Sequence, residues 1–206
     1  RRHPTNRRGL DEDELTEAID AVRSTSRDPE LDLLVVKFHL IAGARQEGAL
    51  RLTLDDLDER RSTAWLKEKF GKLREQPIPP SLLRDLIRFA RRRGATRGTD
   101  KLFRTLRGVP MGRRHYDTLF GHVQAVLPWT VRTPVTAHAL RHTGATEIER
   151  LYGLSIAETW LGHEPPNVAA TYTKARLEEV AAAVAAISGE PHPLAGAMTG
   201  RRRRVA

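Results

Sequence analysis

Between Thr136 and Tyr172 the chain concentrates residue types able to act on a phosphate ester. His138 and Arg141 stand three apart in Thr-Ala-His-Ala-Leu-Arg-His-Thr-Gly, His163 closes a Leu-Gly-His corner, and Tyr172 follows nine residues later. Breaking a phosphodiester without a metal takes a nucleophile, cations on the phosphate oxygens and a proton donor for the departing oxygen. Arginine suits the second task because its planar, permanently charged fork bonds two oxygens at once. Arg45 and Arg141 are the candidates for such a clamp. A tyrosine titrating near pH ~10 is a poor nucleophile at neutrality, so Tyr172 needs cations and a base beside it, roles that His138 and His163 can fill.

These side chains need a scaffold, and the apolar spacing supplies a mainly helical one. Around the pair, Ala137, Leu140, Gly144, Ile148 and Leu151 form an apolar face opposite His138 and Arg141, so both are expected to be presented rather than buried. Asp11 and Glu14 make a capping box ahead of Leu15, Ala18, Ile19 and Val22. A second helix from Pro29 carries Leu31, Leu34, Val35, Phe38 and Ile41 into Ala42-Gly43-Ala44-Arg45. Short apolar pieces between Leu52 and Pro79, divided by charged turns, predict a small three-stranded antiparallel sheet. Ser81 is expected to cap a helix ending at Arg91-Arg92-Arg93, and further helices follow from Tyr116 to Leu127 and from Leu177 to Ile187. The fold class is α+β, mainly α-helical. One catalytic domain is expected over 10–188, with a linker or arm over 1–9 and a basic tail, disordered by composition, over 189–206.

The 206 residues carry 35 Lys plus Arg against 26 Asp plus Glu, a formal charge of +9, which favours a polyanionic partner, nucleic acid first. No long apolar run or signal-like N-terminus points to a membrane, and with no cysteine there is no disulfide framework; the cytoplasm is the default location. His138 and His142 have the helical spacing of a zinc pair, but Ala139 stands where a metalloprotease helix carries glutamate, so no metal is expected. His142 reads as a residue beside the site, and His115, His122 and the histidines of the tails as incidental. Trp129 and Trp160 read as core anchors. Arg91 to Arg93 and the Arg113-Arg114 pair are expected on the phosphate backbone, and Arg201 to Arg204 in a solvated tail.

His138-Ala139-Leu140-Arg141, Leu161-Gly162-His163 and the Tyr172 spacing resemble the catalytic domain of the tyrosine recombinase, or phage integrase, family, and Ala42-Gly43-Ala44-Arg45 followed by Asp56-Leu57-Asp58 is similar to its first arginine box. The resemblance runs from about Leu10 to Ile187. It implies a site-specific recombinase that needs no nucleotide cofactor and no small-molecule substrate, and that works as a homo-oligomer, a tetramer, on DNA. Arg45 and Arg141 would hold the phosphate, His138 and His163 would handle protons, and Tyr172 would form a 3′-phosphotyrosyl link. A lysine on the turn between the second and third strands would protonate the leaving 5′-oxygen; Lys67, Lys69 and Lys72 compete, and Lys69 fits the turn best. Two departures stand out: Gly48 occupies the position of a glutamate that usually holds the first arginine, and the chain starts almost at the catalytic domain, where the family carries an N-terminal clamp domain. In recombinases the last helix docks on a neighbouring protomer, which would make Leu177, Val180 and Val184 an interface. The competing readings are a type IB topoisomerase-like relaxase and a catalytically silent DNA-binding protein of the same fold.

Overall fold

A computed structural model describes residues 8–67, 71–163 and 175–198. Among these, eight α-helices surround one small sheet. The helices are α1 (Glu12–Thr25), α2 (Pro29–Ala42), α3 (Gln46–Arg51), α4 (Pro80–Arg92), α5 (Arg113–Val126), α6 (Ala137–Tyr152), α7 (Leu154–Leu161) and α8 (Leu177–Ser188), and the strands are β1 (Leu57–Asp58), β2 (Thr63–Lys67) and β3 (Leu73–Pro77). No helix among the described residues is long and apolar enough to cross a membrane.

The predicted fold class holds. Asp11 and Glu14 form the expected capping box on α1, and Asp28 with Pro29 at the first turn starts α2. Leu31, Val35, Val36, Phe38 and Ala42 bury α2 on several sides, which makes it the central helix of the domain. It ends at Gly43, whose left-handed backbone (φ 55°) sits on the Trp160 ring. A β-carbon there would come within 2.6 Å of that ring, so only glycine fits both the dihedral and the space. Trp160, fully buried, is the core anchor expected, with its indole N–H on the carbonyl of Ile41 at 3.1 Å.

The sheet is antiparallel in the order β1-β2-β3, with Ala64 between Leu57 and Gln76. Alternation turns Arg74 and Gln76 inward with Leu66 and Ile78.

Several expectations change. Ser81 does not cap α4; Pro79 takes that place, and the Ser81 amide donates instead to the Glu190 carboxylate at 2.9 and 3.1 Å. That acceptor comes from the stretch read as a disordered tail, so residues 189–198 fold back on the domain. His192 is buried there, its Nε2 donating to the Ser62 carbonyl at 3.0 Å while its Nδ1 accepts from the Leu194 amide at 3.2 Å. His192 and His115, the latter 2.5 Å from the Asp32 carboxylate, are therefore structural rather than incidental. Val180 and Val184 are buried against Ala145, Ile148, Ala157 and Trp160 in this chain's own core, not presented as an interface, because α8 packs back on α6 and α7. Leu151, placed on the apolar face of α6, is 54 % exposed.

Of the arginines expected on DNA, Arg93 is nearly buried, with Asp28 at 2.8 Å, Glu30 at 3.1 Å and the Phe89 ring beneath it. Arg92 also pairs with Glu30. Both charges are spent tying α4 to the start of α2, while Arg113 reaches Glu47 at 2.7 Å.

Candidate active site

The end of α2, the start of α6 and the end of α7 converge on one open cleft of about 1220 Å³. Its walls include Arg45, Lys67, His138, Arg141, His142 and His163. Four of the six predicted site residues, Arg45, His138, Arg141 and His163, are thus brought together from three separate parts of the sequence. Tyr172 and Lys69 lie outside the described residues.

Arg141 is not presented as the sequence suggested; it is 4 % exposed. Residues three apart on a helix differ by about 60° in direction, and α6 buries Ala137, Ala139, Leu140, Gly144 and Ala145 on more than one side, against α2 and α7. His138 therefore faces the cleft while Arg141 turns inward between α2 and α7. Its guanidinium donates to the Gly43 carbonyl from Nη1 and to the Leu161 carbonyl, at 2.6 Å, from Nη2. One side chain thereby pins the turn before Arg45 to the corner before His163.

Arg45 is the N-cap residue of α3, immediately after the Gly43 turn, and is half-buried. Glu47, the acid nearest in sequence to the empty position at Gly48, is engaged with Arg113 at 2.7 Å and Arg51 at 3.9 Å. His163 follows Gly162, which is left-handed (φ 67°) and ends α7, and its amide donates to the Glu158 carbonyl at 2.9 Å. A β-carbon on Gly162 would collide with the Arg74 side chain, so the corner that aims His163 requires glycine on two counts. The His163 pKa is lowered, first by partial desolvation and then by the positive charges of Arg141 and Arg45. The imidazole is accordingly neutral near pH ~7 and able to take or share a proton.

His138 is exposed, and its Nε2 lies 3.0 Å from Nε2 of His142 with the rings edge to face. His142 is therefore a direct partner of His138, a closer role than the sequence suggested. Among the described residues no group of three or more histidines and carboxylates could hold a metal. Lys67, at the end of β2, places Nζ 3.1 Å from Asp56 Oδ1 on the cleft wall.

Sequence reasoning missed two contributors. Arg74 is buried, and donates to the Gln76 side chain and to the carbonyls of Trp160 and Gly43. Its signal was a charged residue on the inward phase of a strand. His39 is buried on a helix that is apolar on several sides, where any polar side chain must find partners.

The arrangement offers an anion two arginines, a neutral imidazole, an exposed imidazole and a lysine within one cleft, a set matched to a phosphodiester. Comparison of the fold with solved structures gives the XerA recombinase (TM-score 0.59, 21% identity, 100% of this chain and 68% of that one). It also gives the XerH site-specific recombinase bound to its difH substrate (TM-score 0.62, 20% identity, 90% and 55%) and a lambda integrase tetramer bound to a Holliday junction (TM-score 0.64, 17% identity, 81% and 50%). The chain thus spans half to about two thirds of these proteins, and the likeness is one of fold. A comparison with curated proteins gives no match. The model of the phage integrase family matches residues 8–179, most of the sequence, and on that evidence the chain belongs to the phage integrase family.

Proposed function

We propose that the protein is a DNA strand transferase that cuts and rejoins double-stranded DNA by site-specific recombination. The observation that carries this reading is the convergence of Arg45, Arg141, His138 and His163 on one cleft in a chain of this family. The Tyr172 hydroxyl oxygen attacks the scissile phosphorus, forming the Tyr O–P bond as the P–O5′ bond breaks. A 3′-phosphotyrosyl strand and a free 5′-hydroxyl result. Arg45 and Arg141 hold the non-bridging oxygens and stabilise the charge that builds on them. His163 and His138 share the nucleophile's proton and the phosphate oxygens, and Lys69 delivers a proton to the departing 5′-oxygen. Reversal by the 5′-hydroxyl of another strand rejoins DNA without an external energy source, because the phosphotyrosine ester retains the energy of the broken bond. Strand exchange takes place within a homotetramer on two duplexes.

The test is covalent capture. Nicked duplexes of random sequence are incubated with the protein, adducts surviving denaturation are isolated, and the attached DNA is sequenced. A defined site should emerge, and Tyr172→Phe should yield no adduct. Adducts in that variant refute the nucleophile. Relaxation of plasmids lacking any enriched site would favour the topoisomerase-like reading, and duplex binding with no adduct the silent one.

A further inference from the structure

His39 is fully buried on α2, six residues before Arg45. Its Nδ1 lies 2.9 Å from the Ala44 carbonyl oxygen, which can only accept, so the proton sits on Nδ1. Nε2 is then the acceptor, and the Tyr116 hydroxyl, 2.8 Å away, donates to it. Tyr116 comes from α5 and lines the same cleft as Arg45. The chain of bonds therefore runs from Tyr116 on the cleft wall, through one imidazole tautomer, to the peptide linking Ala44 to Arg45. Burial pushes His39 down to about 4, so the ring stays neutral in ordinary buffers.

The helix does not need this pair. α2 is closed by the Gly43 amide on the His39 carbonyl at 3.1 Å, and α3 starts with the Ala49 amide on the Arg45 carbonyl at 3.0 Å. The His39 ring serves the Ala44 carbonyl through Nδ1 and the Tyr116 hydroxyl through Nε2. Gly43, next to it, is held through its own carbonyl by Arg141 and Arg74. The plane of the Ala44–Arg45 peptide sets the direction in which the Arg45 side chain leaves the backbone.

We propose that His39, fixed in its Nδ1–H tautomer by the Ala44 carbonyl and held from the other side by the Tyr116 hydroxyl, is a positioning residue that aims Arg45 at the phosphate. This rests on the reading of Arg45 as part of the phosphate clamp. A guanidinium displaced by about 1 Å loses on the order of 10²-fold in rate, without the complex having to weaken.

The experiment uses the full chain and the duplex recovered by covalent capture, made with either a normal phosphate or an uncharged methylphosphonate at the cut position. His39→Leu, His39→Gln, Tyr116→Phe and Arg45→Ala are compared with the unaltered protein for adduct rate, duplex affinity and melting temperature, and a long-range ¹H–¹⁵N spectrum reports the His39 tautomer. His39→Leu should cut the phosphate about 10²-fold more slowly with duplex affinity unchanged within about threefold. His39→Gln, whose amide can both donate to Ala44 and accept from Tyr116, should recover most of that rate. On the methylphosphonate, which no longer needs the second cation, His39→Leu and Arg45→Ala should both approach the unaltered protein. If His39→Leu loses rate equally on both substrates, its role is structural and the inference is wrong; a resonance pattern of the Nε2–H tautomer is equally fatal. Should His39→Leu fail to fold, the comparison passes to Tyr116→Phe, which removes the bond that holds the ring from the cleft side, and the absence of a phosphate-specific rate defect there overturns the inference. If Arg45→Ala itself cuts phosphate normally, the clamp reading is what fails. With Arg45→Ala impaired and His39→Leu normal, only the inference fails.

Discussion

Arg141 and Arg74 donate to the same oxygen, the carbonyl of Gly43. One arginine comes from α6 and the other from β3, and the shared acceptor belongs to the turn that precedes Arg45. The two guanidinium groups therefore join the sheet, α2, α6 and the end of α7 around the site, with the Trp160 and Leu161 carbonyls as further acceptors.

Arg141→Lys should damage both stability and chemistry. An ammonium cannot span Gly43 and Leu161; if it keeps Gly43, which Arg74 also serves, the Leu161 carbonyl loses its donor, at a cost of about 1–3 kcal/mol. Urea denaturation measures that loss and covalent capture the chemistry; a variant of normal stability and normal adduct rate contradicts the geometry. Arg141→Met should be no better, because without the fork the Leu161 carbonyl loses its donor and the Gly43 carbonyl keeps only Arg74.

Gly43→Ala should be costlier than Gly189→Ala. Both positions are left-handed, at φ 55° and 68°, but only the first meets a ring; around Gly189 nothing lies within 4 Å. The shared dihedral cost is about 1–2 kcal/mol, and overpacking against Trp160 adds about 1–3 kcal/mol at Gly43 alone. The difference between the two denaturation midpoints isolates the clash, and equal midpoints refute it.

Acid should destabilise the fold through its histidines. His39 is depressed to about 4 by burial, and His192 is lowered by burial as well. Between the unfolded value near 6.5 and the folded value near 4, the unfolded chain binds a proton that the folded chain refuses, so stability falls as pH drops through this window. His39 alone contributes about 3 kcal/mol across it. Unfolding free energies at several pH values from 7 to 4 should decline steadily, and His39→Gln should flatten the slope. A flat profile in the unaltered protein argues against a buried neutral His39.

Glu190→Gln should weaken the start of α4. The carboxylate accepts from the Ser81 amide at a helix end that has no side-chain cap of its own. Caps of this kind contribute about 1 kcal/mol, and part of it comes from the negative charge at the positive end of the helix dipole. Hydrogen exchange at the first amides of α4 should accelerate in the variant while the core of α2 stays protected. Unchanged exchange would show that the segment after α8 contributes nothing there.

The identity of the general acid is open to a direct experiment. A duplex with sulfur in place of the 5′-oxygen leaves as a thiolate and needs no proton. Lys69→Ala should be slow on oxygen and recover on sulfur, whereas Lys67→Ala and Lys72→Ala should not show that selective recovery. Recovery confined to Lys67→Ala would transfer the role to the lysine beside Asp56.

The sequence made some parts of this molecule legible and concealed others for physical reasons. The α1 capping box and the three short strands are local patterns, and they read correctly. Arg45 and Arg141, linked in the sequence by motif spacing rather than periodicity, line the same cleft. What failed were judgements about which side of an element meets another. Arg141 reads as solvent-facing if α6 has one buried face, but α2 and α7 both pack on this helix. Arg93 was assigned to DNA because Asp28 and Glu30, its partners, lie more than sixty positions away. The segment after α8 was taken for a tail because two side chains, Glu190 and His192, do the docking, too few to register in composition.

The burial of Arg141 changes what its presence in a sequence is worth. An arginine that bonds two carbonyls between three helices serves the architecture here, whatever it also does for DNA. A silent descendant could lose its chemistry and still be unable to part with this residue. His138 carries the opposite information: it stands exposed in the cleft, so its replacement in a relative would report on activity while leaving the architecture intact.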